Sequence, residues 1–154
     1  SHVDHTLCVD AIHRASGAAI WLHPDDRRLY DSLAIQAERF GLRAASAPEP
    51  HHELADGQVL EVAGVPFQVR HTPGHAPGHV VFLHPGVAIV GDVLFAGSIG
   101  RTDLPRGNME TLLHSIRTVL LTLPDETKVL PGHGPETTVG EERAGNPFLK
   151  GLGT

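Results

Sequence analysis

The sequence predicts an α/β protein with β-strands at its centre and helices around them. Alternating apolar residues form several short runs in the middle of the 154-residue chain, and apolar residues recur at helical spacing on either side. Between two of these runs lies HTPGHAPGH, residues 71–79, whose two prolines and two glycines exclude a helix and predict a rigid loop. With 40% hydrophobic and 19% charged residues, the chain fits one domain, 1–154, with its own core.

The first third of the chain is predicted to be mainly helical. Apolar residues recur at helical spacing from Leu7 onwards until Gly17, a residue that commonly ends helices. A short buried strand is expected at 18–22. Pro24, followed by two aspartates, predicts the start of a second helix that ends at Gly41. A polar loop is expected from there to residue 57.

The remainder of the chain is predicted to hold the sheet and two further helices. Asn108 is expected to cap a helix over 109–123, and Thr138 with Glu141 forms a predicted capping box for a last helix. A Gly-rich loop is expected at 96–108. The predicted strands are 58–62, 65–71, 79–84, 87–90 and 128–130, with a turn at Pro85-Gly86 between the third and the fourth.

Charge and composition exclude several classes of function. The formal net charge is −6 with only 12 Lys and Arg, which argues against a nucleic-acid surface. No apolar run approaches the length of a membrane span, so a membrane partner is not expected. The single cysteine, Cys8, favours a reducing, cytoplasmic compartment and is expected to be a small buried filler. Twelve histidines against 5% aromatic residues point to metal chemistry.

Six imidazoles and carboxylates stand at the ends of predicted elements and are candidate metal ligands. These donor types suit Zn, Fe(II) or Mn, and two neighbouring ions would need a shared group such as a carboxylate. Any one of these residues would equally fit a solvated turn or a cap, but their joint placement favours a metal site. The candidates are His2, Asp4, His5, His75, Asp92 and His133, with Asp92 as the natural bridge.

The segments SHVDH, HTPGHAPGH, GDVLF and LPGHGP, in this order, resemble the motifs of the metallo-β-lactamase-fold hydrolases. Within that superfamily the chain is most similar to the small glyoxalase II-like (hydroxyacylglutathione hydrolase-like) proteins, and GSIGRTDLPRG and ERAGNPFL extend the match. The resemblance implies an αββα sandwich. The first histidine of the family's first motif would precede Ser1, as would the N-terminal strands. We therefore expect the chain to be an N-terminally truncated part of a longer polypeptide.

The resemblance also implies a ligand set and a reaction. It assigns two divalent ions, zinc first with iron or manganese as alternatives, and hydrolysis of a small-molecule thioester by a metal-bridging hydroxide. Asp4 would also act in catalysis, by accepting a hydrogen bond from the hydroxide. One ion would be bound by His2 and His75, the other by Asp4, His5 and His133, with Asp92 between the two.

Two further residues, His79 and Arg101, match positions of the family outside the ligand set, and a third, Asp103, departs from it. His79 is expected beside the ligands rather than among them. Arg101 falls where glyoxalase II enzymes hold the glutathione carboxylate, and Asp103 replaces their tyrosine, which weakens the glutathione assignment. Arg101 would equally fit a pair with Asp103 that braces the loop.

Two other functions remain open at this point. A mononuclear Fe(II) persulfide dioxygenase shares the fold and the Gly-Arg-Thr-Asp string found at 100–103, although LPGHGP and His79 favour the hydrolases. An inactive fragment is the third possibility, and β-lactamase activity is less favoured. The sequence leaves the acyl group, the thiol carrier and the oligomeric state open.

Overall fold

A computed structural model describes residues 1–44 and 46–151, and the chain divides into two compact units, Ser1–Leu54 and Ala55–Thr154. The first unit is built from short helices around a small apolar cluster of Val3, Leu33 and Ala37. Its elements are α1 (Val3–Thr6), α2 (Val9–Ser16), β1 (Trp21–Leu22), a 3₁₀ turn (Pro24–Asp26), α3 (Arg27–Asp31), α4 (Leu33–Arg39) and β2 (His52–Glu53).

Several expectations for the first unit are confirmed and several are wrong. Gly17 ends α2 in the left-handed region at φ 69°, as expected. The helix predicted from Pro24 to Gly41 is interrupted at Ser32, because the Ser32 hydroxyl and the Gln36 amide both donate to the Leu29 carbonyl, at 2.7 and 2.8 Å. The expected strand is only Trp21–Leu22, and it pairs in parallel with β2, which lies in the predicted loop.

Cys8 corrects an expectation about packing. We expected a buried filler inside a helix, but Cys8 lies at the break between α1 and α2 and is exposed. Cys8 is the N-cap of α2, and its neighbour Leu7 packs against the apolar cluster while the thiol faces outwards.

The second unit is built on a mixed six-stranded sheet in the order β10-β9-β6-β5-β4-β3. Strands β6 and β9 pair in parallel, and the other neighbouring pairs are antiparallel. A small hairpin, β7 with β8, forms a separate sheet. The elements are β3 (Val59–Val62), β4 (Val65–His71), β5 (Val80–His84), β6 (Val87–Gly91), β7 (Leu94–Phe95), β8 (Ser98–Ile99), α5 (Met109–Ser115), a π-helical segment (Ile116–Leu120), β9 (Lys128–Pro131), β10 (Thr137–Thr138) and α6 (Val139–Gly145).

The core of the second unit lies between the sheet and the helical segment 109–120. Leu112, Ile116 and Leu120 repeat at spacings of four and are fully buried. They belong to one cluster with sheet residues such as Val90 and Val129. Complete burial of each of these side chains stabilises the fold by about 1.5–3 kcal/mol. The sheet that presents the candidate site is therefore supported by a buried apolar layer.

Most of the elements predicted for this unit are confirmed to within one or two residues. The side chain of Asn108 accepts a hydrogen bond from Thr111 N at 2.8 Å, and Thr138 with Glu141 forms the expected capping box. The α5 helix changes to π-helical geometry at Ile116, earlier than the predicted end. The hairpin β7–β8 and the short strand β10 were missed, because two-residue strands have no detectable alternation.

Gly74 allows the loop between β4 and β5 to lie directly on α5. Its φ is +134°, and a Cβ at this position would overlap the backbone N and Cα of Leu112. Gly74 O accepts a hydrogen bond from Asn108 N at 2.8 Å, and Pro73 O accepts one from Ser115 Oγ at 2.7 Å. Backbone atoms cannot move aside by changing rotamer, so this position requires glycine.

We expect Gly74→Ala to lower the free energy of unfolding by about 3 kcal/mol, because the methyl group collides with backbone. Gly64→Ala is the matched control: its φ is +81°, but no described atom lies within 4 Å of the added Cβ. The control should cost only about 1 kcal/mol of backbone strain. Urea denaturation measures both values, and equal losses would contradict the close approach at Gly74.

Asp56 fixes the end of β4 just before that loop. Its Oδ1 accepts hydrogen bonds from His71 N at 2.8 Å and from Arg70 Nε at 3.0 Å. The backbone bond from His71, followed by the bond from Arg70, holds the pKa of the Asp56 carboxyl below its usual value of 3.8. A lowered folded-state pKa stabilises the protein fully above the unfolded-state pKa, and this stabilisation is lost as pH falls through the folded-state value.

We therefore expect Asp56→Asn to destabilise the protein at pH 7 by at most about 1 kcal/mol, since the side chain is half exposed. The difference from the parent should shrink at pH 3, where the parent's carboxylate begins to lose its charge. Denaturation curves at the two pH values make the comparison. A difference that stays constant or grows on acidification would show that the carboxylate charge is not responsible.

Candidate metal centre

His75 lies in the loop between β4 and β5 and is held in one orientation. Its Nδ1 lies 2.8 Å from the carbonyl oxygen of Arg101. Because a carbonyl oxygen only accepts, Nδ1 carries the proton and the lone pair of the neutral ring is on Nε2. Nε2 lies 3.6 Å from Oδ2 of Asp92, and both side chains are at least nine-tenths buried. The ring is thus set with its metal-binding nitrogen towards a carboxylate.

Asp92 directly follows β6, and its backbone is held by His79. Asp92 N donates a hydrogen bond to Nε2 of His79 at 3.2 Å. The other ring nitrogen, Nδ1, lies 3.3 Å from the hydroxyl of Thr72, a fully buried residue. His79 therefore accepts at Nε2 and donates at Nδ1, which is the neutral tautomer. Its position beside the carboxylate agrees with a supporting role.

His133 follows β9, which is the parallel neighbour of β6. Its Nε2 lies 3.5 Å from Oδ2 of Asp92, and its side chain is 55% exposed. The ring of Phe95 in the hairpin packs edge-on against it, with ring centroids 6.3 Å apart. Nε2 of His75, in the loop after β4, and Nε2 of His133, in the loop after β9, thus lie near the same oxygen of Asp92.

The spacing of these donor atoms fits a divalent metal. Two ligand atoms about 2.1 Å from one ion, at a tetrahedral angle, are about 3.4 Å apart. The distances from Asp92 Oδ2 to the two imidazole nitrogens, 3.6 and 3.5 Å, are close to this value. Imidazole and carboxylate are also the ligand types that zinc, iron and manganese accept.

The remaining predicted ligands share the first helical turn of the first unit. His2 is the N-cap of α1, and Asp4 and His5 lie within that helix. Nε2 of His5 is 3.7 Å from Oδ2 of Asp4, with side chains 36% and 50% exposed. Within this unit the structure therefore brings together an imidazole and a carboxylate.

Arg101 and Asp103 form a bidentate ion pair at the surface. Arg101 Nε and Nη2 donate to the two carboxylate oxygens of Asp103, each at 2.7 Å, and both side chains are more than 60% exposed. The hydrogen bond from Arg101 lowers the pKa of Asp103 to about 2, and the pKa of Arg101 is raised by the same bond. The alternative in which Arg101 braces its own loop is the one seen here, and a substrate carboxylate would compete with Asp103.

Some residues that build the site were not found from sequence. The Thr72 hydroxyl lies 3.3 Å from Nδ1 of His79 and so supports that ring. Gly100 lies so close to Asp92 that a Cβ on it would overlap the carbonyl oxygen of Asp92. Their only sequence signal was a position next to a motif histidine or a motif arginine. Other histidines contact backbone atoms away from these candidate ligands: His13 with Ala18 O, His23 with Asp25 N, His51 with Ile20 N, His71 with Pro77 O and His84 with Pro66 O.

A family model described as the metallo-beta-lactamase superfamily matches residues 1–133. The chain belongs to this superfamily, as its fold and its histidine and aspartate motifs indicate, and it is a homologue of metal-dependent hydrolases. It is 45% identical over 152 residues to the hydroxyacylglutathione hydrolase GloC of Haemophilus influenzae, covering 96% of this chain and 72% of the relative. It is 39% identical over 156 residues to the probable metallo-hydrolase YqgX of Bacillus subtilis, covering 99% and 74%.

Solved structures give the same family. TTHA1623 in a di-iron-bound form superposes with a TM-score of 0.88 at 43% identity, covering 96% of this chain and 73% of that one. The B3 metallo-beta-lactamase BLEG-1 gives 0.89 at 40% identity, covering 97% and 74%. ETHE1 from Myxococcus xanthus gives 0.76 at 29%, covering 95% and 58%. These likenesses confirm the predicted fold and support divalent metal binding. Among the described residues, none of the helices has the length and hydropathy needed to cross a bilayer.

We expect Asp92→Asn to lower metal affinity by about a hundredfold, because it removes the negative charge that lies between two imidazoles. Asp103→Asn is the matched control, since it makes the same change at a carboxylate that contacts Arg101 instead. Metal content per chain, measured by mass spectrometry after dialysis against a weak chelator, compares the two. Equal retention of metal by both variants would remove Asp92 from the ligand set.

Proposed function

We propose that the protein is a binuclear metal-dependent thioesterase that cleaves a small acyl-thiol of the hydroxyacylglutathione type. The observation that supports this most is the buried Asp92 carboxylate with imidazoles of His75 and His133 at 3.6 and 3.5 Å. The 45% identity to a hydroxyacylglutathione hydrolase supports the choice of substrate. We propose zinc as the first candidate metal, with iron or manganese as alternatives.

The bound ions would supply a water molecule of lowered pKa and would polarise the thioester carbonyl. The chain's own residues supply orientation. The Arg101 carbonyl fixes the tautomer and the direction of His75, and His79 fixes the backbone of Asp92. Asp4 remains the predicted acceptor of the proton from the attacking water, a role for which its exposed carboxylate is suited.

Arg101 is the proposed contact for an anionic group on the substrate. A guanidinium grips a carboxylate with two parallel hydrogen bonds, and Asp103 already occupies that arrangement. Because the pKa of Asp103 is about 2, its carboxylate is charged at every pH at which the enzyme would be assayed. We propose that Asp103 sets the strength of substrate binding by competing for Arg101.

A mononuclear Fe(II) persulfide dioxygenase is the second candidate, and the Gly-Arg-Thr-Asp string at 100–103 favours it. The two proposals differ in metal stoichiometry and in their second substrate. The hydrolase needs two ions and water, whereas the dioxygenase needs one iron and consumes oxygen. We propose a small-molecule thioester as the substrate partner, with neither nucleic acid nor membrane as a binding partner, and a cytoplasmic location.

We expect the polypeptide as its gene encodes it to release thiol from a panel of acyl-thiols, measured with a chromogenic thiol reagent. Arg101→Ala should raise KM by about tenfold with little change in kcat, because it removes uniform substrate binding. Asp103→Asn should lower KM, since it removes the competitor. Arg117→Ala, which removes an exposed arginine of the π-helical segment, serves as the control.

An oxygen electrode run in parallel on a persulfide substrate separates the two candidates. Two metals per chain with no thiol release from any member of the panel would reject the thioesterase. One iron per chain with oxygen consumption would establish the dioxygenase instead.

A further inference from the structure

The segment ERAGNPFL in and after α6 contains two buried polar side chains that the proposed reaction does not use. Glu142 and Asn146 lie one helical turn apart and are only 4% and 2% exposed. Glutamate is seldom buried to this extent unless its oxygens accept hydrogen bonds. The partners of these two side chains therefore indicate what they are for.

Both side chains bind the turn of the hairpin β7–β8. Oε2 of Glu142 accepts hydrogen bonds from Gly97 N at 2.9 Å and from Nδ2 of Asn146 at 2.7 Å. The same Nδ2 donates to Ser98 O at 3.0 Å. Oδ1 of Asn146 accepts from Phe148 N at 3.0 Å, which fixes the orientation of the amide. Helix α6 and its C-cap residue Asn146 thus bind one donor, Gly97 N, and one acceptor, Ser98 O, of the hairpin backbone.

The other oxygen of Glu142 reaches the segment that carries His133. Oε1 accepts a hydrogen bond from the hydroxyl of Thr137 at 2.7 Å in a buried contact. Thr137 begins β10, immediately after the loop that starts at the end of β9 and contains His133. One carboxylate therefore connects the hairpin that follows Asp92 with the segment that follows His133.

The hairpin β7–β8 connects Asp92 of the candidate metal centre to Arg101, the candidate substrate contact. It begins two residues after Asp92 and ends two residues before Arg101. Its Phe95 packs against the ring of His133. Asp92 has its own support from β6 and His79, whereas the exposed Arg101 side chain has its partner, Asp103, on the same loop. The Arg101 carbonyl is held by Nδ1 of His75 at 2.8 Å. A shift of the hairpin would therefore displace the Arg101 side chain more than Asp92 or His75.

We propose that Glu142 and Asn146 are positioning residues, which act through the hairpin to place Arg101 for substrate binding. The kinetic part of this inference rests on the proposed thioesterase function. A purely structural role would lower thermal stability and leave KM unchanged for the molecules that remain folded. A positioning role raises KM while kcat and the metal content per chain stay near the parent values.

The test compares Glu142→Ala with Glu141→Ala. Glu141 is the neighbouring carboxylate, and it caps α6 through Thr138 N and also contacts the Thr137 hydroxyl, so its removal weakens the same helix. It has no hydrogen bond to the hairpin among the contacts described. We expect Glu142→Ala to raise KM by about tenfold and Glu141→Ala to leave KM within about twofold of the parent.

Glu142→Gln should restore KM to near the parent value. Its carbonyl oxygen can accept from Gly97 N and Asn146 Nδ2, while its amide can donate to the Thr137 hydroxyl, which then reverses its own bond. If Glu142→Ala does not fold, Asn146→Ala makes the same comparison, since it removes the bond to Ser98 O and leaves the carboxylate in place.

Hydrogen exchange of the peptide covering 94–103, followed by mass spectrometry, gives a readout that does not depend on activity. Exchange there should be faster in Glu142→Ala than in Glu141→Ala, and the expected rise in KM should accompany it. Unchanged exchange, or faster exchange with KM unaltered in an active enzyme, would overturn the inference. A parent enzyme without thioesterase activity would reject the proposed function, and the exchange comparison alone would then decide whether Glu142 positions the hairpin.

Discussion

The parallel pairing of β6 with β9 is the constraint on which the candidate site depends. Gly91 pairs with Pro131, and Gly132 N donates to Gly91 O at 2.8 Å, so the two strands end side by side. Asp92 and His133 follow these ends and therefore meet at one edge of the sheet. Parallel strands also require a long crossover, and that crossover contains α5, on which the His75 loop rests. One strand pairing thus places three candidate ligands.

The electrostatics of the site follow from the hydrogen bonds around it. A carboxylate that is nine-tenths buried needs compensating positive charge, and a divalent cation between the imidazoles would provide it. The buried ring of His75 is committed to one tautomer by a backbone carbonyl, and the half-buried ring of His79 by a backbone amide. Such fixed rings do not need to reorganise when a cation binds, which favours tight binding.

The sequence predicted the elements with strong periodicity and the residues that stand at their ends. The strands β4 and β5, the cap at Asn108 and the capping box at Thr138 follow from local chemistry and were predicted correctly. The hairpin β7–β8 and the break at Ser32 depend on tertiary contacts and on side chains that compete for a backbone carbonyl, and local patterns do not report these. For the same reason nothing local identified Thr72 or Gly100 as neighbours that support the site.

The central claim is that His75, Asp92 and His133 bind the same metal centre. Crystals of the metal-loaded protein, with anomalous data collected at the metal absorption edge, test it directly. We expect anomalous density with Nε2 of His75, Nε2 of His133 and an oxygen of Asp92 each about 2.1 Å from an ion. Metal density that leaves these three side chains uncoordinated would contradict it.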